Sequence, residues 1–199
     1  KRKFPELITH CDAVQGFLKV PFQVRSLQAD LLSISGHKVH GVKGVGALYQ
    51  KNGIHLHPTF HGGSQERGLR PGTENVPAIA AFGAAVQTYG STVRERYQAV
   101  TEKKAYLLER LQELPNCKIH SVEDASPYII SFSLRPYRSE ILLHFLEKRE
   151  IFVSSGSACS KGKNSGVPVL FGATDAEADS ILRVSLSAET PNTALDALV

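Results

Sequence analysis

The sequence predicts an α/β protein in two parts, divided near residue 90. Three observations carry this. The segment 29-ADLLSISGH-37 is an apolar run closing in Ser, Gly and His, the pattern of a buried strand. The segment 93-VRERYQAVTEKKAYLLERLQEL-114 sets Val93, Tyr97, Val100, Leu107, Leu108 and Leu111 at helical spacing. Beyond it, short apolar strands alternate with helical stretches in an α+β rhythm. Residues 1–90 are therefore expected to be strands and loops, and residues 91–199 an α+β unit that can bury its own core.

In chain order, 7-LITHCDA-13 reads as a short strand ending in Asp12, followed by the buried strand at 29–37. The glycines of 41-GVKGVGALYQ-50 lead into a third strand, Asn52-Gly53 marks a turn, and 54-IHLHPTF-60 predicts a further strand. The stretch 61-HGGSQERGLRPGTEN-75 is a loop rich in Gly and Arg. Thr73 is the expected N-cap of the helix after it, with Glu74 in the first turn, Pro77 near its start and helical character carrying to Tyr89. Gly90-Ser91-Thr92 separates this helix from the one over 93–114, which Pro115 stops. Strands are predicted at 117–121, 128–134, 151–155 and 181–187, and helices at 138–150, 175–180 and the C-terminal end.

A chain of 199 residues is long enough for one substantial core or two small ones. Hydrophobic content of 42% and charged content of 21% are ordinary for a soluble globular protein. No apolar run approaches membrane-spanning length, so no membrane partner is expected. The opening Lys-Arg-Lys-Phe-Pro-Glu has charge with no apolar stretch after it, and is not expected to be a signal peptide. Three scattered cysteines, Cys11, Cys117 and Cys159, with no CxxC pair, argue against a disulfide framework and for a reducing, cytoplasmic compartment. The net charge of +4 is dispersed, so direct nucleic-acid binding is not expected. The chain has no Met and reads as a piece of a longer protein.

Several residues can carry chemistry, each with a plainer alternative. Asp12 closes a strand, where ligand groups collect in open α/β sheets and where turn aspartates also occur. Lys38 follows a buried strand; a lysine so placed is either a desolvated nucleophile or simply exposed. Ser35 and His37 beside it can hold a phosphate, with Gly36 allowing close backbone approach. Arg70, ahead of a helix N-terminus, can meet an anion or lie on the surface. Arg183 sits in the apolar strand 181-ILRVSLS-187, where it either makes an ion pair or grips a carboxylate. Cys159 lies in 154-SSGSACSKGKNSGVP-168, where Lys161 and Lys163 favour a thiolate; an incidental exposed cysteine fits the same residues. Cys11 and Cys117 read as packing residues in apolar strands, and His57 and His61 lack partner ligands for a metal.

Taken together, 10-HCDAVQ-15, 33-SISGHKVHGVKGVGALY-49, 61-HGGSQERGLRPGTENV-76, 154-SSGSACS-160 and 181-ILRVSLS-187, in that order, resemble the cysteine desulfurases of the NifS/IscS type. These are fold-type I enzymes of the class V aminotransferase family that use pyridoxal 5'-phosphate. The resemblance runs from His10 to the last helix. It implies the end of a large-domain sheet followed by a small α+β domain carrying the cysteine loop. It implies that Asp12 pairs with the pyridinium nitrogen, Gln15 with the phenolic oxygen, and Ser35 and His37 with the phosphate. Thr73 would reach the phosphate of a neighbouring subunit in a homodimer. Lys38 would hold the cofactor through its amine and move protons at the substrate's Cα, and Arg183 would hold the substrate carboxylate. Cys159 would take the sulfur of L-cysteine, leaving L-alanine, and pass it to a sulfur-acceptor protein for iron–sulfur cluster assembly or tRNA thiolation.

The sequence departs from the family's pattern at Val42, where Pro is usual, at Ser64, where Gly is usual, and at Pro71, where Ser is usual. The family's long N-terminal part, with the histidine that stacks on the cofactor ring, has no counterpart here. The chain by itself is therefore expected to be inactive, with its stable part from about residue 90 onward. The same residues leave open a selenocysteine lyase, another class V aminotransferase, and a non-catalytic sulfur-accepting or docking module.

Overall fold

The computed structural model describes residues 3–122, 124–155, 167–170 and 172–199. The chain divides into two units, Lys1–Glu95 and Arg96–Val199. The first contains β1 (His10–Asp12), α1 (Val24–Leu27), β2 (Leu31–Ser35), β3 (Gly46–Gln50) and α2 (Val76–Gly90). β1 runs parallel to β2, and β2 antiparallel to β3. Side chains alternate across a strand, and Asp12 stands opposite Ser33, so His10, Asp12, Ser33 and Ser35 share one face. Leu32 takes the other face and is buried.

Two local devices hold this sheet. Asp30, just ahead of β2, is buried, and its Oδ2 accepts from the Thr9 backbone N–H at 2.9 Å and the Thr9 hydroxyl at 3.1 Å. Lys51 Nζ lies 3.5 Å from the other oxygen. One carboxylate thus ties the entry of β1 to the exit of β3, as a buried charge must be tied. Gly36, at the end of β2, is the second device. A Cβ there would sit 2.9 Å from Val45 Cγ1 and 3.3 Å from Phe82 of α2, so only glycine lets these elements close.

The cap of α2 is Asn75, not the expected Thr73. Asn75 Oδ1 accepts the Ala78 N–H at 3.3 Å. A helix capped at Thr73 would make residue 77 the first that must donate back to the cap carbonyl, and Pro77 has no N–H. Starting two residues later puts Pro77 in the first turn, where no such bond is needed. The expected strand at 54–60 does not form. Among the described residues no strand pairs with it, and Pro58 removes a donor.

The second unit takes in most of α3 (Val93–Gln112), then β4 (Cys117–Ile119), β5 (Ile129–Leu134), α4 (Ser139–Glu147) and β6 (Ser154–Ser155). It continues through α5 (Val167–Leu170), α6 (Asp175–Ala178), β7 (Ile181–Ser185) and α7 (Asn192–Leu198). The sheet order is β4-β5-β7-β6, antiparallel throughout. Val100, Leu107 and Leu111 put one stripe of α3 into the core. Ile130 and Phe132 of β5 and Leu182 and Val184 of β7 meet it with period-two alternation, joined by Leu146 and Leu195. Ile151 and Val153 pack against this cluster ahead of β6, which is two residues long where five were expected.

Candidate functional site

Because β1 and β2 are parallel neighbours, their C-terminal ends open on the same edge of the sheet, where ligands collect in open α/β folds. Asp12 stands at the first end. Its Oδ1 accepts the Val14 N–H at 2.9 Å, which fixes the carboxylate and leaves Oδ2 for another donor. His10, on the same face, brings Nε2 to 2.8 Å from Ser33 Oγ. At the second end, Ser35 caps a short 3-10 turn, Gly36–Val39, that carries His37 and Lys38. Ser35 Oγ and His37 Nδ1 lie 2.8 Å apart.

After Asp12 the chain winds through two turns. The N–H groups of Gly16 and Phe17 reach the Ala13 carbonyl at 2.9 and 2.8 Å, and those of Lys19 and Val20 reach the Gly16 carbonyl at 3.1 and 2.8 Å. This winding puts Gln15 and Lys19, four residues apart, on one side. Lys19 Nζ donates to Gln15 Oε1 at 3.2 Å. Burial, and then the charge of Lys38, push the Lys19 amine below its ordinary value. In the sequence alone Lys19 does not stand out. Its only signal there was the four-residue spacing from Gln15, which has meaning only once the segment is known to be wound.

The other expected residues are placed differently. Thr73 is exposed in the loop ahead of α2, and no hydrogen bond joins it to this group among the described residues. Arg70 is engaged locally, bonded to the Pro71 carbonyl and set 5.8 Å from the centre of the Phe60 ring. Cys159, with Lys161 and Lys163, lies outside the described residues.

In the second unit, Arg183 of β7 stands between Ser131 of β5 and Ser154 of β6. Leu182 and Val184 face the core, so Arg183 lies on the opposite side of the sheet. Its Nε is buried and has no hydrogen-bond partner among the described residues. A buried donor left unmade costs about 1–3 kcal/mol, so this group is poised for an acceptor. Beyond it on that face, His120 Nε2 meets the hydroxyl of buried Ser133 at 2.8 Å. Burial, and then the nearby Lys118, push the His120 ring below its ordinary value. Lys118 Nζ lies 2.6 Å from Glu177 Oε1. That bond, with the Thr174 backbone and hydroxyl, holds the Glu177 carboxyl at about 2.

The profile of the family Aminotransferase class-V matches residues 2–198. The chain belongs to this family. It is 36% identical over 193 residues to a NifS/IcsS protein homolog of Lactobacillus delbrueckii, covering 96% of this chain and 50% of that one. It is likewise 36% identical over 193 residues to the cysteine desulfurase IscS of Clostridium botulinum, covering 94% and 49%. Among solved structures, a NifS-like protein from Rickettsia africae matches with a TM-score of 0.87 and 32% identity, over 98% of this chain and 52% of that one. SspA in complex with cysteine matches with a TM-score of 0.72 and 31% identity, over 93% and 52%. The chain spans about half the length of the curated relatives it matches. The α/β fold and the likeness to NifS- and IscS-named proteins thus stand as read from the residues. Among the described residues, no helix is long and apolar enough to cross a membrane.

Proposed function

We propose that the full-length protein carrying this class-V aminotransferase chain is a cysteine desulfurase dependent on pyridoxal 5'-phosphate. It converts L-cysteine to L-alanine and keeps the sulfur as a persulfide on Cys159. The observation that carries this reading is the placing of Asp12 and of the Ser35–Lys38 turn at the ends of adjacent parallel strands.

The residues at those ends fit the cofactor. Asp12 keeps one carboxylate oxygen for a protonated ring nitrogen, and Gln15 supplies an amide for the phenolic oxygen. Ser35 and His37 supply side-chain groups for the phosphate, the Gly36 N–H being given to the Val45 carbonyl, and Thr73 adds to this from a second copy of the chain. Lys38 supplies the amine that holds the cofactor and moves protons at the substrate's Cα. Pyridoxal phosphate supplies an electron sink for charge formed at that carbon. Arg183 grips the substrate carboxylate, a role supported by its buried Nε, which has no partner among the described residues. The Cys159 thiolate, favoured by Lys161 and Lys163, bonds to the substrate sulfur as the Cβ–S bond breaks. A sulfur-acceptor protein of iron–sulfur cluster assembly or tRNA thiolation then attacks the persulfide, and homodimers do this work in a reducing cytoplasm. The 199-residue chain alone does not turn over. Asp12 and His37 are exposed in it, and it spans about half of its relatives' length.

A borohydride trap tests the site. The full-length protein is mixed with the cofactor, reduced and digested, and the pyridoxyl-lysine is located by mass. Label at Lys38 is expected; label at other lysines only would overturn the assignment. The isolated chain is expected to show scattered label or none, and selective label at Lys38 there would refute its inactivity. In the full-length protein, Cys159→Ser is expected to abolish sulfur release from L-cysteine. Undiminished release would remove Cys159 from the mechanism.

A further inference from the structure

Lys19 is a group that the proposed chemistry leaves unused, yet it reaches a residue that the chemistry needs. It bonds to Gln15 and feels the charge of Lys38. An ammonium has only donors, so its partner in Gln15 must be the carbonyl oxygen and not the amide nitrogen. A glutamine side chain is otherwise ambiguous, since either end of the amide can face a ligand. Here the ambiguity is removed. With Oε1 taken by Lys19 Nζ, Nε2 is the end that remains. An ionised phenolic oxygen can only accept, so it needs a donor, and Nε2 is one. The bond is charge-assisted, so it holds this orientation more firmly than a neutral partner would.

We propose that Lys19 is a positioning residue that turns the Gln15 amide so that its Nε2 donor, and not its carbonyl, meets the cofactor's phenolic oxygen. This rests on the desulfurase reading, and Lys19 acts only through Gln15. The winding from Ala13 to Val20 makes it possible, since it brings side chains four residues apart to the same side.

The test is a double-mutant cycle on the full-length protein, read by titration of pyridoxal phosphate absorbance and by the pH at which the bound cofactor changes colour. Lys19→Met is expected to weaken cofactor binding about tenfold and to shift that pH in the direction that Gln15→Ala shifts it, while Lys19→Arg restores both. The double variant is expected to lose no more than Gln15→Ala alone, because a residue acting through Gln15 has nothing left to act on. Losses that simply add, or a Lys19→Met protein with unchanged binding and colour, would overturn the inference while leaving the desulfurase reading intact. If the unaltered protein takes up no cofactor, the desulfurase reading itself falls, and this inference with it.

Discussion

In the second unit Val100, Leu107, Leu111 and Ile130 have no exposed surface at all; in the first, β3 leaves Leu48 at 50% and Tyr49 at 40%. The second unit closes large apolar side chains of α3, β5 and β7 around one cluster. The first buries chiefly small ones, among them Ala13, Ala29, Ala78 and Ala85, with Leu32, Val39 and Phe82. It also keeps an open groove of about 790 Å³, lined by Phe17, Phe22, Leu32, Ile34 and Tyr49 among others. Burial of large side chains supplies most of a fold's stability, so the difference assigns the two units different tasks. The second packs around a core of its own. The first depends on point ties, such as Asp30 and the close approach at Gly36, and holds most of the residues proposed to meet the ligand. Sites drawn from the less stable part of a fold are common, because binding supplies part of what packing does not.

The sharpest way to break this comparison is to truncate one leucine in each unit of the full-length protein. Leu107→Ala is expected to lower unfolding free energy by about 3–5 kcal/mol, through lost transfer and a residual cavity. Leu48→Ala is expected to change it by less than ~1 kcal/mol, as surface changes do. Guanidinium unfolding measures both. A loss at Leu48 equal to that at Leu107 would mean that β3 is covered in the complete protein, and the contrast would dissolve.

A middle-sized effect tests the point ties. Asp30→Ala leaves the Thr9 N–H without its acceptor, while the Thr9 hydroxyl keeps the Gln28 carbonyl, for an expected loss of about 1–3 kcal/mol. Hydrogen exchange should locate that loss at β1 and spare β5 and β7. Faster exchange in both units alike would show that the tie serves the whole chain.

The smallest effects are expected with pH, and they belong to the second unit. The His120 ring is pushed down in the folded state, mainly by burial and then by Lys118, with Glu177 opposing. Its neutral form is therefore favoured by folding. The corresponding stability is present above about pH 6.5, the ordinary histidine value, and declines as pH falls through the lowered one. Glu177 is likewise depressed, from 4.5 to about 2, so its contribution is complete above pH 4.5 and is lost between there and about 2. Thermal melts across pH should show both limbs. His120→Gln is expected to flatten the upper one and Glu177→Gln the lower, and an unchanged profile in either variant would remove that residue from the linkage.

Much was legible in the residues alone. The stripe of α3, the alternation in β5 and β7 and the order of five motifs are local patterns, each read within a short window, and together they determined the fold class and the family. The tertiary structure decided what windows cannot carry. The segment 54–60 has strand-like residues, but a strand exists only where a neighbour offers a ladder. Lys19 looks like any surface lysine until the chain winds back and sets it beside Gln15. His120 meets Ser133, and Arg183 comes to stand across from Ser131, because β4, β5 and β7 lie side by side, an adjacency set by long-range pairing. Periodicity records which face of an element is apolar; which polar groups then meet depends on contacts between segments far apart in the chain.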